Sequence, residues 1–353
     1  MLLYIHIPFC DSKCSYCAFN SYVDKFSQRE KYMHALSSQL AYELERFEVS
    51  ETNLIETVFI GGGTPSTVDP TLYANIFETI SPFLAPNAEI TSEANPNSAT
   101  YEWLKGMFAL GVNRISFGVQ SFNDEKLKIL GRAHNTAHAL EAIKNAQKIG
   151  FKRLSLDLIY GVAGDTKELL LNDIEHAFSL QIDHISLYSL TIEEHTAFEK
   201  TPELAREELE MTEWLFEQIA SRGFVQYEIS NFGKTRSAHN LGYWEGKNYI
   251  GLGAGAVGFL NDTRFYPSTN IEHYIENPLE ITEENLTSDA LLGEKLFLGF
   301  RSCVGVDEKN LTPTQKKEAD LLTQEGILEQ HNGRFFNPNF LLADEIALRV
   351  EGY

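Results

Sequence analysis

The sequence predicts an α/β protein built from parallel strand–helix units, and three observations carry that prediction. Short apolar runs alternate with helical stretches at a spacing of roughly 25–35 residues, the rhythm of strands joined by crossover helices. Polar or glycine-rich segments follow each apolar run, where α/β folds gather ligands at the carboxyl ends of their strands. A hydrophobic fraction of 43% over 353 residues suffices for one large core with a small appendage. The pattern holds six such units, fewer than a closed eight-unit barrel requires. It does not by itself separate a partial barrel from a doubly wound sheet.

In chain order, residues 2–7 (LLYIHI) read as a buried strand that Pro8 ends. Residues 27–48 read as an amphipathic helix. Tyr32, Leu36, Leu40 and Leu44 recur at four-residue steps, and Met33 and Phe47 broaden the stripe. Further strands are expected at 57–60, 89–93, 114–118, 154–159 and 184–190, with helices near 70–83, 99–110, 123–130, 136–149 and 166–180. The acidic run from Glu207 to Glu210 reads as a charged helical segment. From about Ser288 the pattern changes. Helices at 291–300 and 314–325, a hairpin turning on Asn332-Gly333, and a last helix at 341–349 resemble a winged helix. The expected organisation is a first unit over 1–230, a connecting region over 231–285 and a small terminal unit over 286–353.

Chemistry concentrates at the strand ends. Cys10, Cys14 and Cys17 form a C-x3-C-x2-C triad just after the first strand, with the fourth cysteine, Cys303, far along the chain. Thiolates suit zinc or iron–sulfur clusters. A closed zinc site wants four ligands, and His6 would have to supply one. Three thiolates on a four-iron cluster would leave one iron open to a small molecule. The second strand runs into Gly61-Gly62-Gly63-Thr64-Pro65, the third into Glu93-Ala94-Asn95-Pro96 and the fourth into Gly118-Val119-Gln120-Ser121. The fifth carries Asp157 and continues into Tyr160-Gly161. Glycine lets backbone approach a ligand closely. Further on, His239-Asn240-Leu241-Gly242-Tyr243-Trp244 joins a potential iron ligand to two flat aromatic faces.

Other features carry less. Gly253-x-Gly255-x-x-Gly258 fits the dinucleotide pattern literally, but no strand–helix–strand unit surrounds it, so a close-packed turn near the histidine motif is expected. His134 and His138, four residues apart, lack a carboxylate partner and read as a solvated helix face. Cys303 reads as a packed small hydrophobe. The net charge of −21 argues against nucleic acid as a general partner. Four cysteines in this length argue against a disulfide scaffold, and no apolar run approaches a membrane span or a signal peptide. A cytoplasmic protein is expected.

The triad and its flanks, YIHIPFC-x3-C-x-YC-x-FNS, resemble the radical S-adenosylmethionine (SAM) superfamily, and within it the branch related to oxygen-independent coproporphyrinogen III oxidase. The resemblance implies a partial (β/α)6 barrel and a [4Fe-4S] cluster on Cys10, Cys14 and Cys17. It implies SAM bound at the open iron and cleaved there by an electron from the reduced cluster. The SAM contacts it implies are Tyr4, Tyr16, Gly62, Gly63, Thr64, Glu93, Gln120, Arg132 and Asp157. It assigns no catalytic residue. H-N-x-x-Y-W is similar to a motif that marks the haem-chaperone side of the branch, with His239 as haem ligand. That side implies delivery of haem to apo-haemoproteins such as respiratory enzymes, and leaves a homodimer and a transient membrane-surface contact open. Phe19 stands where the oxidases place a further cysteine, and the chain starts three residues before Tyr4, without their N-terminal extension; both favour the chaperone over the oxidase. Ala18 departs from the acidic residue common in the chaperones, a change that leaves the ligands intact.

Overall fold

The structure, a computed structural model, describes residues 1–206 and 208–352. Its frame is a succession of parallel strands. These are β1 (Leu2–Ile7), β2 (Ile55–Gly62), β3 (Leu84–Ala94), β4 (Arg114–Gln120), β5 (Arg153–Tyr160) and β6 (His184–Ser189). Each pairs in parallel with the next, in the order of the chain. A doubly wound sheet reverses its strand order at a switch point; this one does not. Glu89 on β3 meets Arg153 on β5 at 2.7 Å across the intervening strand, so the sheet curls around its inner face. Antiparallel strands finish each end of the described arc. β7 (Val225–Gln226) and β8 (Asn231–Gly233) follow β6. β9 (Tyr249–Leu252), parallel to β1, leads to β10 (Gly258–Leu260), β11 (Thr263–Pro267) and β12 (Ile281–Asn285). The result is an open partial barrel.

Between the parallel strands run α1 (Arg29–Arg46), α2 (Ala74–Ile80), α3 (Tyr101–Ala109), α4 (Asp124–Ile129), α5 (Thr136–Ile149) and α6 (Lys167–Ser179). Their starts are written locally: the side chains of Thr100, Asn123, Asn135 and Thr166 accept from backbone N–H groups of the first turn. One core unites the apolar faces of α1, α2, α3, α5 and α6 with the outer faces of the strands. α7 (Leu209–Ala220) follows; Glu207 of the expected acidic segment lies outside the described residues. α8 (Ala238–Trp244) carries the histidine motif, and α9 (Ile271–Glu276) packs on α1. The terminal unit comprises α10 (Ser288–Phe300), β13 (Val306–Asp307), α11 (Pro313–Gln324), β14 (Glu329–His331), β15 (Arg334–Phe336) and α12 (Ala343–Glu351). Its three strands form a separate sheet, with Asn332 and Gly333 at positive φ in the hairpin turn. It has its own core around Phe300, Leu322, Phe335 and Ile346, and α10 packs against α8. Among the described residues no helix is long and apolar enough to cross a membrane.

Three expectations are corrected. His134 is buried, with Nε2 2.9 Å from the Val119 carbonyl. Asn135 caps α5, so His134 precedes that helix and shares no solvated face with His138. The glycine-rich segment is a turn between β9 and β10, but it meets the cysteine loop, where Asn20 donates to the Ala254 carbonyl at 2.9 Å. Cys303 is half-buried and its sulfur lies 3.1 Å from Arg236 Nη1, a polar contact rather than apolar packing.

Candidate functional site

In many closed barrels branched aliphatic side chains fill the interior. Here alternation points polar residues inward. Thr57, Glu89, Thr91, Glu93, Arg114, Ser116, Ser155, Asp157, His184 and Ser186 lie on the inner face of β2 to β6. Their upper end opens into a cavity of about 470 Å³ at the carboxyl ends of the strands. Cys10, Cys14, Tyr16, Cys17, Gly62, Gly63, Thr64, Glu93, Gln120, Arg132 and Asp157 all line it. Residues from six separate sequence regions thus meet at one place.

The cysteine loop is clasped from several sides. Gly63 N donates to the Ile7 carbonyl at 2.8 Å, and Ser15 N donates to the Leu130 carbonyl at 3.1 Å. Gly131, at φ +70°, lies so close that a Cβ there would come within 2.8 Å of Ser15 Oγ. Cys10 is buried and Cys14 and Cys17 are half-buried. Thr64 Oγ1 donates to Cys10 Sγ at 3.4 Å, and Arg132 Nη1 to Cys14 Sγ at 3.1 Å. Burial pushes the Cys10 and Cys17 thiols up. Metal coordination reverses that by deprotonating a thiol outright. His6 does not join the triad: its ring nitrogens meet Tyr4 OH at 3.0 Å and the Asn20 carbonyl at 2.9 Å. Among the described residues no three His, Cys, Asp or Glu converge on a single-ion position. A four-iron cluster has no such requirement, since each thiolate takes a different iron. The donor set fits a cluster.

Opposite the loop stands the polar floor. Glu93 Oε2 accepts from Gly62 N at 3.2 Å, and Asp157 Oδ1 accepts from Ser116 Oγ at 3.3 Å. Burial, then the charge of Asp157, pushes the Glu93 carboxyl up to about 8; burial also raises Asp157. Arg132 donates from Nη2 to Asn95 Oδ1 at 2.7 Å and to the Gly118 carbonyl at 2.6 Å. Its buried Nε has no partner among the described residues, an orphan donor able to take a carboxylate oxygen. Gln120 sits at φ +67°, where the β4–β5 register shifts. Backbone in that region is strained for a side chain, a feature concentrated at functional sites.

Two expected residues stand elsewhere. Tyr4 is on the inner face, its hydroxyl on His6 and its ring stacked on Phe59, and does not line the cavity. His239 is 1% exposed. Its Nδ1 meets Thr57 Oγ1 at 2.7 Å, its Nε2 meets Tyr243 OH at 3.0 Å, and its ring stacks on Phe59. Burial lowers its pKa to about 3, so it is the neutral imidazole. α8 therefore closes the inner face from below, with Ser237 capping it and the Glu89 carboxylate accepting from His239 N at 3.2 Å. Sequence reasoning missed Asn95, which joins Arg132 to Thr64, although its strand end was recognised. It also missed Tyr188 at the end of β6 and the exposed Phe19 at the mouth. The strand-end rule, applied to the sixth strand, would have found Tyr188.

Comparisons with known proteins agree with this geometry. The model of the radical SAM superfamily matches residues 4–177. The haem chaperone HemW of Bacillus subtilis is 35% identical over 335 residues, covering 90% of this chain and 87% of the relative. HemW of Escherichia coli is 38% identical over 282 residues, covering 77% and 74%. The solved structure of Escherichia coli coproporphyrinogen III oxidase superposes with a TM-score of 0.83, covering 100% of this chain and 90% of that one, at 19% identity. At that identity it shows the fold alone. The chain belongs to the radical SAM superfamily and, within it, to the family of the haem chaperones HemW.

Proposed function

We propose that this protein is a haem chaperone that carries a [4Fe-4S] cluster and SAM and delivers haem to apo-haemoproteins, respiratory enzymes among them. Cys10, Cys14 and Cys17 hold the cluster, which when bound supplies one-electron reducing power and an open iron. The observation that carries the reading is the single cavity joining the three thiols to a cationic and a carboxylate wall, in a chain related to HemW over most of its length. Arg132, with its free Nε, takes the carboxylate of SAM, and Gly62, Gly63 and Thr64 let backbone approach the amino end. Glu93, Gln120 and Asp157 face the nucleoside and the sulfonium bonded to it; Tyr16 walls the cavity beside Arg132, and Tyr4 supports it from beneath through His6. A low-potential cluster needs a reducing compartment, and the cytoplasm is the one proposed.

His239 is the proposed haem ligand, and the fold sets a condition on it. Both ring nitrogens are engaged, so α8 must leave its seat before either can meet an iron. The test is an anaerobic haem titration of the cluster-loaded protein, read in the Soret band, with His239→Ala alongside. Stoichiometric binding that the variant loses establishes the chaperone and the ligand. Binding that the variant keeps retains the chaperone and assigns the ligand elsewhere. Turnover of coproporphyrinogen III without haem binding would move the protein to the oxidases.

A further inference from the structure

Arg114 lies on the inner face of the barrel at the start of β4, two residues below Ser116 and four below Gly118, which lines the cavity. It is 2% exposed and forms no ion pair among the described residues. Its guanidinium has five N–H donors. The structure gives it one long bond, from Nη1 to Thr91 Oγ1 at 3.5 Å, and leaves Nε without a partner. A buried cation without a counter-charge is costly, so nearby groups must supply one.

The neighbouring strands show which groups do. On β3, Glu89 is taken by Arg153 of β5 at 2.7 Å. That leaves Glu93 of β3, one layer up, and Asp157 of β5, two layers up, both of which feel the Arg114 charge. Glu228, which faces Tyr188 and Tyr227, has the charge of Arg301 beside it; the remaining titratable groups around them contribute no counter-anion. His184 of β6 and His239 of α8 are held neutral by burial and by Arg114 itself, and Tyr4, Tyr188 and Tyr227 are held protonated. Arg132 also faces Asp157, from the cavity side. One cation thus sits beneath two carboxylates whose mutual repulsion opposes full ionisation.

We propose that Arg114 is a positioning residue of this site, its buried guanidinium holding negative charge on the Glu93–Asp157 floor so that the cavity selects a cationic ligand head, a sulfonium or ammonium. The proposal rests on the reading of the cavity as the SAM site. Arg114 touches no ligand; it acts through the two carboxylates.

The test is anaerobic equilibrium dialysis of the cluster-loaded protein against SAM and against S-adenosylhomocysteine, whose sulfur is uncharged, from pH 6.5 to 9. The ligands share their amino and carboxylate groups, so the ratio of affinities isolates the sulfonium. In the unmodified protein that ratio rises with pH as Glu93 ionises, with a midpoint near 8. Arg114→Gln lowers SAM affinity about tenfold near neutral pH, changes S-adenosylhomocysteine far less, and moves the rise about one pH unit alkaline. Arg114→Lys restores most of both. Equal losses for the two ligands, or an unchanged ratio in Arg114→Gln, would overturn the proposal. If Arg114→Gln does not fold, the unmodified protein decides, because a ratio flat from pH 6.5 to 9 also overturns it. Binding of neither ligand to the unmodified protein instead brings down the SAM reading, and this inference with it.

Discussion

Gly63 has no room for a methyl group. A Cβ there would lie 2.9 Å from the Ile7 carbonyl oxygen and 3.0 Å from Cys10 Sγ. The first contact is backbone and cannot swing aside, so Gly63→Ala should push the cysteine loop outward. We expect it to at least halve the iron and sulfide retained after reconstitution while the far-UV circular dichroism stays native; full iron occupancy would show that the loop tolerates the shift. Gly62 is constrained from another direction, at φ +110° with the His6 ring 2.5 Å from where its Cβ would be. The sequence marked these glycines as a place of close approach, and only coordinates show that the neighbours are Cys10 and His6. His134 teaches the reverse lesson. Its spacing from His138 suggested a helix face, but the Asn135 cap starts the helix one residue too late for that pairing to form.

At the scale of elements, α1 shows how an amphipathic stripe can hide a charge. Tyr32, Leu36, Leu40 and Leu44 are buried as their spacing requires, and Glu43 beside them is only 3% exposed. Burial pushes its carboxyl up to about 7, against the opposing pull of Arg46 and Gln39. Because the folded value lies above the unfolded one of 4.5, its contribution to stability is complete below about pH 4.5 and is lost as pH rises through 7. Glu43→Gln should therefore gain roughly 2 kcal/mol on the parent between pH 5 and pH 8, read from denaturant unfolding at the two pH values. A gap that does not widen with pH would mean that Glu43 stays ionised. α8 illustrates what an element's sequence conceals. H-N-x-x-Y-W announces a histidine with aromatic company, and the fold turns the histidine inward, onto Phe59 and Thr57.

At the scale of the molecule, the terminal unit has a core separate from that of the barrel, centred on Phe300 and Phe335, both fully buried. Phe335→Ala should cost that unit about 3–5 kcal/mol. Hydrogen exchange should then show residues 288–351 losing protection while β1 to β6 keep theirs. Equal loss in both would mean that the two cores unfold as one. The same separation explains why the terminal unit was legible in advance: each of its helices and its Asn-Gly hairpin is specified by local signals. The short strands β7 to β12 were not, because two to five residues hold too little periodicity to register, and their pairing with β1 and β6 is settled by neighbours distant in sequence.

The sequence by itself determined the α/β class, the six parallel strands and the helices between them. Those features depend on periodicity, caps and spacing, which are local. It also named part of the cavity's lining, because residues after parallel strands must share one rim whatever the connecting helices do. Only the tertiary structure decided that the strands follow one another without reversal, that Arg114 lies unpaired beneath Glu93 and Asp157, and that His239 faces inward with both nitrogens engaged. Each depends on which side chains meet across the curled sheet, and that is fixed by burial and charge compensation among residues far apart in the chain.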